Sequence, residues 1–175
     1  MNRLKVFVSI FLLLIPFWIM SSCNNNDSGE RTSKNTSGND LSDIQLSNLD
    51  GTPFNLANLD GKAVFLNLWA TWCKPCIAEM PSIESAYQQL KDSDIVFLLA
   101  SDEALSLIQD FKNKHSYSFH FVQLESGLET VQSYALPTTI LFNQMGKQIS
   151  IERGAKDWDS PEEIHKLKEL LNENN

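Results

Sequence analysis

Ala63-Val64-Phe65-Leu66-Asn67-Leu68-Trp69-Ala70-Thr71-Trp72-Cys73-Lys74-Pro75-Cys76-Ile77-Ala78-Glu79-Met80-Pro81 is the stretch on which the reading of this chain turns. Its first seven residues form a nearly continuous apolar run, the pattern of a strand covered on both faces. Downstream, Ile83, Ala86, Tyr87 and Leu90 recur at helical spacing and carry a helix to about Lys91. Two cysteines three residues apart therefore stand at a strand-to-helix junction. Helical positions i and i+3 lie about 5–6 Å apart, within disulfide reach. Unpaired backbone N–H groups and roughly half a positive charge gather at a helix start, so a thiolate is favoured there over a thiol. On this basis Cys73 is the exposed, attacking sulfur and Cys76, one turn deeper, the resolving one. Lys74 adds to the same positive field. Pro75 falls in the first turn, where a missing N–H costs nothing.

Working outward, Asp43–Leu46 and Pro53–Leu56 alternate around the turn Asp50-Gly51, which predicts a β-hairpin ahead of the central strand. Ile95–Ala100 reads as a second buried strand, and Leu105, Ile108 and Phe111 define a helix ending near Lys114. Phe119–Leu124 is expected to be extended and Leu128–Tyr134 to form a short helix. Thr139–Phe142 and Gln148–Glu152 alternate about Met145-Gly146 and should pair as a hairpin. Ser160-Pro161-Glu162-Glu163 is a capping box, followed by an apolar stripe of Ile164, Leu167, Leu170 and Leu171. Pro81 is expected to kink or restart its helix. Elements in this order predict an α/β fold with a mixed central sheet flanked by helices.

The remainder of the chain is of another kind. Arg3 and Lys5 precede a 15-residue apolar stretch, Val6–Met20, interrupted by Ser9 and Pro16. Such a helix rises about 22 Å, short of a ~30 Å hydrocarbon core, so residues 1–22 read as an export signal. A retained membrane anchor is the alternative. Met20-Ser21-Ser22-Cys23 resembles a bacterial lipobox, with Met where Leu is usual, which makes Cys23 the lipidated first residue of the mature chain. Several acyl chains would hold it on a membrane surface. The 17 residues Asn24–Asp40 contain no apolar side chain. They cannot bury enough surface to offset chain entropy, so residues 23–40 are read as a lipidated cysteine and flexible tether, and 41–175 as the folded domain.

Composition narrows the function. A net charge of −8 leaves no surplus of Lys and Arg to displace phosphate counterions, which argues against nucleic acid as a partner. C-x-x-C is shared with haem attachment and zinc half-sites. Haem attachment requires His after the second cysteine, where Ile77 stands. Zinc needs two further ligands from Cys23, His115, His120 or His165, and no His pair has ligand spacing. A copper- or zinc-delivery module, using the two thiolates and a further ligand, is the runner-up reading. A peroxidase would need Thr three before its cysteine, where Ala70 stands.

The stretch Leu66–Pro81, together with Leu136-Pro137-Thr138-Thr139 followed by Met145-Gly146-Lys147, resembles the TlpA/ResA group of exported, membrane-tethered, thioredoxin-like thiol–disulfide oxidoreductases. The likeness covers about Leu41–Asn175. It implies a thioredoxin fold, no cofactor beyond the two sulfurs, and a cis peptide bond before Pro137, facing the cysteines. It implies that Trp72, Lys74, Pro75, Leu136, Pro137 and Thr138 bind substrate, and that Glu79, three after Cys76 on the same helical face, assists proton transfer at the deeper sulfur. An acid at that position is otherwise an ordinary solvated helix charge. Asn67 lies where cytosolic thioredoxins have a buried Asp. The partners implied are protein disulfides or thiols, apocytochrome c among them, and a membrane redox partner supplying electrons.

Overall fold

The computed structural model describes residues 40–171. They fall within one compact unit, Asn35–Asn175. The export segment, Cys23 and all of the tether except Asp40 lie outside the described residues. The elements are β1 (Leu46–Ser47), β2 (Ala63–Leu68), α1 (Lys74–Leu90), β3 (Ile95–Ser101), α2 (Leu105–Lys114), β4 (His120–Leu124), β5 (Thr138–Phe142), β6 (Gln148–Arg153) and α3 (Pro161–Leu170). The sheet runs β1-β4-β3-β2-β5-β6. Pairing is parallel for β2 with β3 and β3 with β4, and antiparallel elsewhere. This is the mixed sheet of a thioredoxin fold.

The apolar run of β2 places it at the centre: all six of its residues are buried, paired with β3 on one side and β5 on the other. Successive strand side chains point to opposite faces. Val64, Leu66 and Leu68 join Leu98, Ala100, Val122, Ile140 and Phe142 beneath the N-terminal residues Leu41, Ile44, Leu46 and Leu59. Ala63 and Phe65 pack on the other face, with Phe97, Leu99 and Phe121, against side chains of all three helices. Asn67 belongs to that second face by alternation, and it points toward α1.

The N-terminal hairpin is short. Asn48 and Thr52, and Leu46 and Phe54, are joined by backbone bonds around Asp50-Gly51, but the return arm pairs at Pro53 alone and then enters a 3-10 turn, Leu56–Leu59. The hairpin of β5 and β6 forms as expected, closing at Gly146, whose φ of +74° suits a residue without Cβ. The short helix expected at Leu128–Tyr134 is absent. The segment turns instead, with Gln132 in the left-handed region at φ +52° and Ser133 N–H donating to the Leu128 carbonyl. A residue at positive φ cannot continue a right-handed helix.

Pro81 does not restart α1, which continues through it. The Ser82 hydroxyl donates to the Glu79 carbonyl at 2.8 Å and accepts from Trp158 N–H at 3.2 Å, tying this turn of α1 to the segment before α3. At α3, Ser160 caps by accepting from Glu163 N–H. The reciprocal half of the capping box is missing because the Glu163 carboxylate turns to Lys156 Nζ at 2.6 Å.

Candidate active site

Two chain segments meet at one end of the sheet by pairing alone. β2 and β5 are antiparallel, with Leu68 opposite Thr138, so the loop leaving β2 and the Leu136-Pro137 step entering β5 are neighbours. The Leu136–Pro137 bond is cis. Cys73 is the N-cap of α1 and is joined to Cys76 by a disulfide, with Cα atoms 5.3 Å apart. Cys76 N–H points at Cys73 Sγ at 3.3 Å, so a first-turn donor is aimed at the first sulfur. Cys73 is far less open than the sequence suggested, 4 % exposed, while Cys76 is fully buried. Both cysteines are largely covered, Cys76 completely.

Trp72, Lys74 and Pro75 are exposed around the pair, Trp72 at 71 %. Leu136 is half-buried and Pro137 buried. Thr138 is fully buried with its hydroxyl donating to the Ala135 carbonyl at 2.7 Å, so its side chain shapes the loop. The approach to Cys73 is fixed from the segment that follows β3: Glu103 accepts from Thr71 N–H at 2.6 Å and from the Thr71 hydroxyl at 2.7 Å.

Glu79 is not a solvated helix charge. It is 4 % exposed and accepts hydrogen bonds from three directions. Asn67 Nδ2 donates to Oε1 at 2.9 Å, while Lys156 N–H at 3.0 Å and Trp158 Nε1–H at 3.2 Å donate to Oε2. Burial pushes its carboxyl above the usual glutamate range, and the three donors partly oppose that. An open cleft of about 440 Å³ lies beside it, lined by Pro75, Ala78, Glu79, Ser82, Ala155, Lys156 and Asp157. Among the described residues, no group of three or more His, Cys, Asp or Glu side chains is placed to hold a metal ion.

Redox-active sulfurs at a helix tip on a thioredoxin sheet invite comparison with known proteins, and residues 36–171 match the Redoxin family. The chain belongs to that family. Thiol-disulfide oxidoreductase ResA of Halalkalibacterium halodurans is 34 % identical to this redoxin over 126 residues, 70 % of this chain and 71 % of that one. The pneumococcal exposed lipoprotein thioredoxin of Streptococcus pneumoniae is 25 % identical, with a TM-score of 0.59 over 71 % of this chain and 97 % of that structure. A thiol:disulfide interchange protein of Chlorobium tepidum shares the fold, with a TM-score of 0.59 at 21 % identity, over 73 % and 92 % of the two chains. The redoxin is a thiol–disulfide oxidoreductase of the TlpA/ResA kind.

Sequence reasoning missed three residues of the redoxin's site. Glu103 orders the loop before Cys73, and Lys156 and Trp158 clamp Glu79 from 77 and 79 positions away. A polar Glu directly after a parallel strand adjoining β2 is a signal that could have flagged Glu103. Nothing local marks the other two.

The Glu79 environment has a thermodynamic consequence. In the unfolded chain this group titrates near 4.5, and in the fold it titrates higher. Between the two values the folded chain holds a proton that the unfolded chain has released. Stability therefore falls as pH rises through that window, and levels off above it. Glu152, held down by the Lys166 hydrogen bond, acts in the opposite sense and below 4.5. Urea midpoints of Glu79→Gln should lack the decline seen in the parent above pH 4.5. Parallel curves for the two proteins would show that Glu79 carries no raised pKa.

Proposed function

We propose that this redoxin reduces disulfides of proteins outside the cytoplasm, held at a membrane by lipid on Cys23, with Cys73 attacking, Cys76 resolving and Glu79 moving the proton at Cys76. The observation that carries this is the pairing of Cys73 Sγ with the Cys76 N–H at the tip of α1, while a buried acid follows one turn further on. The Cys73 thiolate attacks one sulfur of a substrate disulfide, forming a mixed disulfide and releasing the other sulfur as thiolate. Cys76 passes its proton to the Glu79 carboxylate and attacks Cys73 Sγ. The second substrate sulfur leaves as a thiolate and takes a proton, and the Cys73–Cys76 bond re-forms. Two electrons have then moved from enzyme to substrate. A dithiol of a membrane redox partner restores them by the reverse exchange.

Trp72, Lys74, Pro75, Leu136 and Pro137 frame the sulfurs and would receive an extended substrate segment, with Thr138 holding the loop from within. Apocytochrome c is a fitting substrate, since its paired thiols must be reduced before haem is attached. The pneumococcal relative, an exposed lipoprotein thioredoxin, supports the compartment and the anchor. No described helix is long and apolar enough to cross a membrane.

Equilibration against glutathione tests the direction. The Cys73–Cys76 couple is expected below about −220 mV, on the reducing side, whereas a value near −120 mV would make the chain an oxidant. The mass of the mature chain tests the anchor. A diacylglyceryl cysteine at position 23, with residues 1–22 removed, is expected. An unmodified chain beginning at Met1 would rule it out.

A further inference from the structure

We infer that the Asn67 amide turns over when Glu79 takes up a proton, so that this carboxyl has a hydrogen-bond partner at Oε1 in both of its protonation states. The inference rests on the reading of Glu79 as the proton-transferring group. Asn67 is fully buried near the C-terminal end of β2, and its Nδ2 has spent both hydrogens, on Glu79 Oε1 and on Thr139 Oγ1, each at 2.9 Å. Its Oδ1 is buried, and no described residue donates to it. An unmet buried acceptor is costly and asks for an explanation.

Half a turn of the amide moves that shortfall from one end to the other. It would set Oδ1 before the same two oxygens. A carbonyl has two lone pairs, and both neighbours are then donors: Thr139 through its hydroxyl, Glu79 through its acid proton. Nδ2 becomes the unmet end instead. One end of the amide is thus unmet in either orientation, so the choice between them passes to the carboxyl. Ionised, Glu79 accepts and needs Nδ2. Protonated at Oε1, it donates and needs Oδ1. Lys156 N–H and Trp158 Nε1–H cannot serve that proton, because both are donors and both sit on Oε2. Asn67 is therefore a positioning residue that keeps Glu79 bonded while its proton comes and goes, and Thr139 is the hydroxyl that changes from acceptor to donor with it. An amide can do this because it offers either polarity without charge. A carboxylate in its place would face Glu79 with a second negative charge.

Of the titratable groups near this carboxyl, Lys156 and Asp157 line the same cleft, and Cys76, a thiol once reduced, lies one turn earlier on α1. The Lys156 ammonium is held by Glu152 on β6 and Glu163 on α3. β2 and β5 contribute the neutral Asn67 and Thr139.

Nuclear magnetic resonance of the reduced full chain tests this, with 15N in asparagine and 13C at the glutamate carboxyl, assigned through Asn67→Asp and Glu79→Gln. Both Asn67 side-chain amide protons should resonate downfield at high pH. They should move upfield together as pH falls, with the same midpoint as the Glu79 carboxyl carbon. A carboxyl that titrates beside unmoving amide protons overturns the inference, as does a carboxyl that does not titrate while the chain stays folded. A fixed amide in a chain whose Cys76→Ser form still traps substrate sinks this inference alone. Absence of trapping sinks the exchange mechanism, whatever the amide does.

Discussion

Reduced Cys76→Ser, mixed with a disulfide-bonded protein, should accumulate a covalent adduct stable to gel electrophoresis without reductant, and Cys73→Ser should accumulate none. Each substitution should bring turnover down to the uncatalysed rate, since one removes the attack and the other the release. The asymmetry follows from the tip of α1. Cys73 keeps a sliver of accessible surface and receives the Cys76 N–H, whereas Cys76 has no access to solvent. A helix terminus favours an adjacent negative charge by about 0.3–2 kcal/mol, which lowers a thiol pKa by roughly 0.2–1.5. A charge-assisted bond from the N–H adds to this. Both favour the thiolate of Cys73 over its thiol, against the desolvation that its burial imposes. Alkylation of Cys73 by iodoacetamide, followed against pH, should show that lowered midpoint. Adducts in neither variant, or both thiols titrating near 8.5, would remove the basis for the assigned roles.

The largest loss of stability is expected from Trp158→Ala. Trp158 is fully buried, packs edge-on against Phe65 with ring centroids 4.8 Å apart, and gives its indole N–H to Glu79. Truncating a buried aromatic costs about 3–5 kcal/mol in lost burial and in the cavity left behind. A domain's whole stability is about 5–15 kcal/mol, so this one change takes a large share of it. Its urea midpoint should fall steeply with little change in the slope of the transition. Trp158→Phe should recover part of that loss, since it restores a six-membered aromatic ring while lacking the fused pyrrole ring and its N–H. The Phe form should also carry Glu79 at a still higher pKa, one opposing donor having gone. A loss below about 1 kcal/mol for the Ala form would mean that the site collapses around the gap and that Trp158 does not hold the segment to α1.

Parts of the fold were legible where a signal is local. The nearly continuous apolar run of β2 demanded a central strand, and it has one neighbour on each side. The Asn143–Gly146 turn and the Ser160 cap were written in turn and cap residues that act within four positions. Leu128–Tyr134 misled because its apolar spacing suits a helix, while Gly127 and Gln132 sit at positive φ, and the left-handed region ends a helix whatever the spacing. Pro81 did not restart its helix, since bonds of Ser82 with Glu79 and with the 156–158 segment hold that turn in place.

By itself the sequence determined that two sulfurs would stand one helical turn apart at the mouth of a strand-to-helix junction. That arrangement depends on neighbours in the chain and on the unpaired amides every helix start exposes. Tertiary structure alone decided what surrounds them. Glu103 reaches Thr71 from 32 positions away, and Thr139, Lys156 and Trp158 come to the Asn67–Glu79 pair across more than 70. Whether an acid on α1 faces water or lies among donors depends on which distant strand and turn close over that face. Periodicity reports which side of an element is buried, but not which partner buries it.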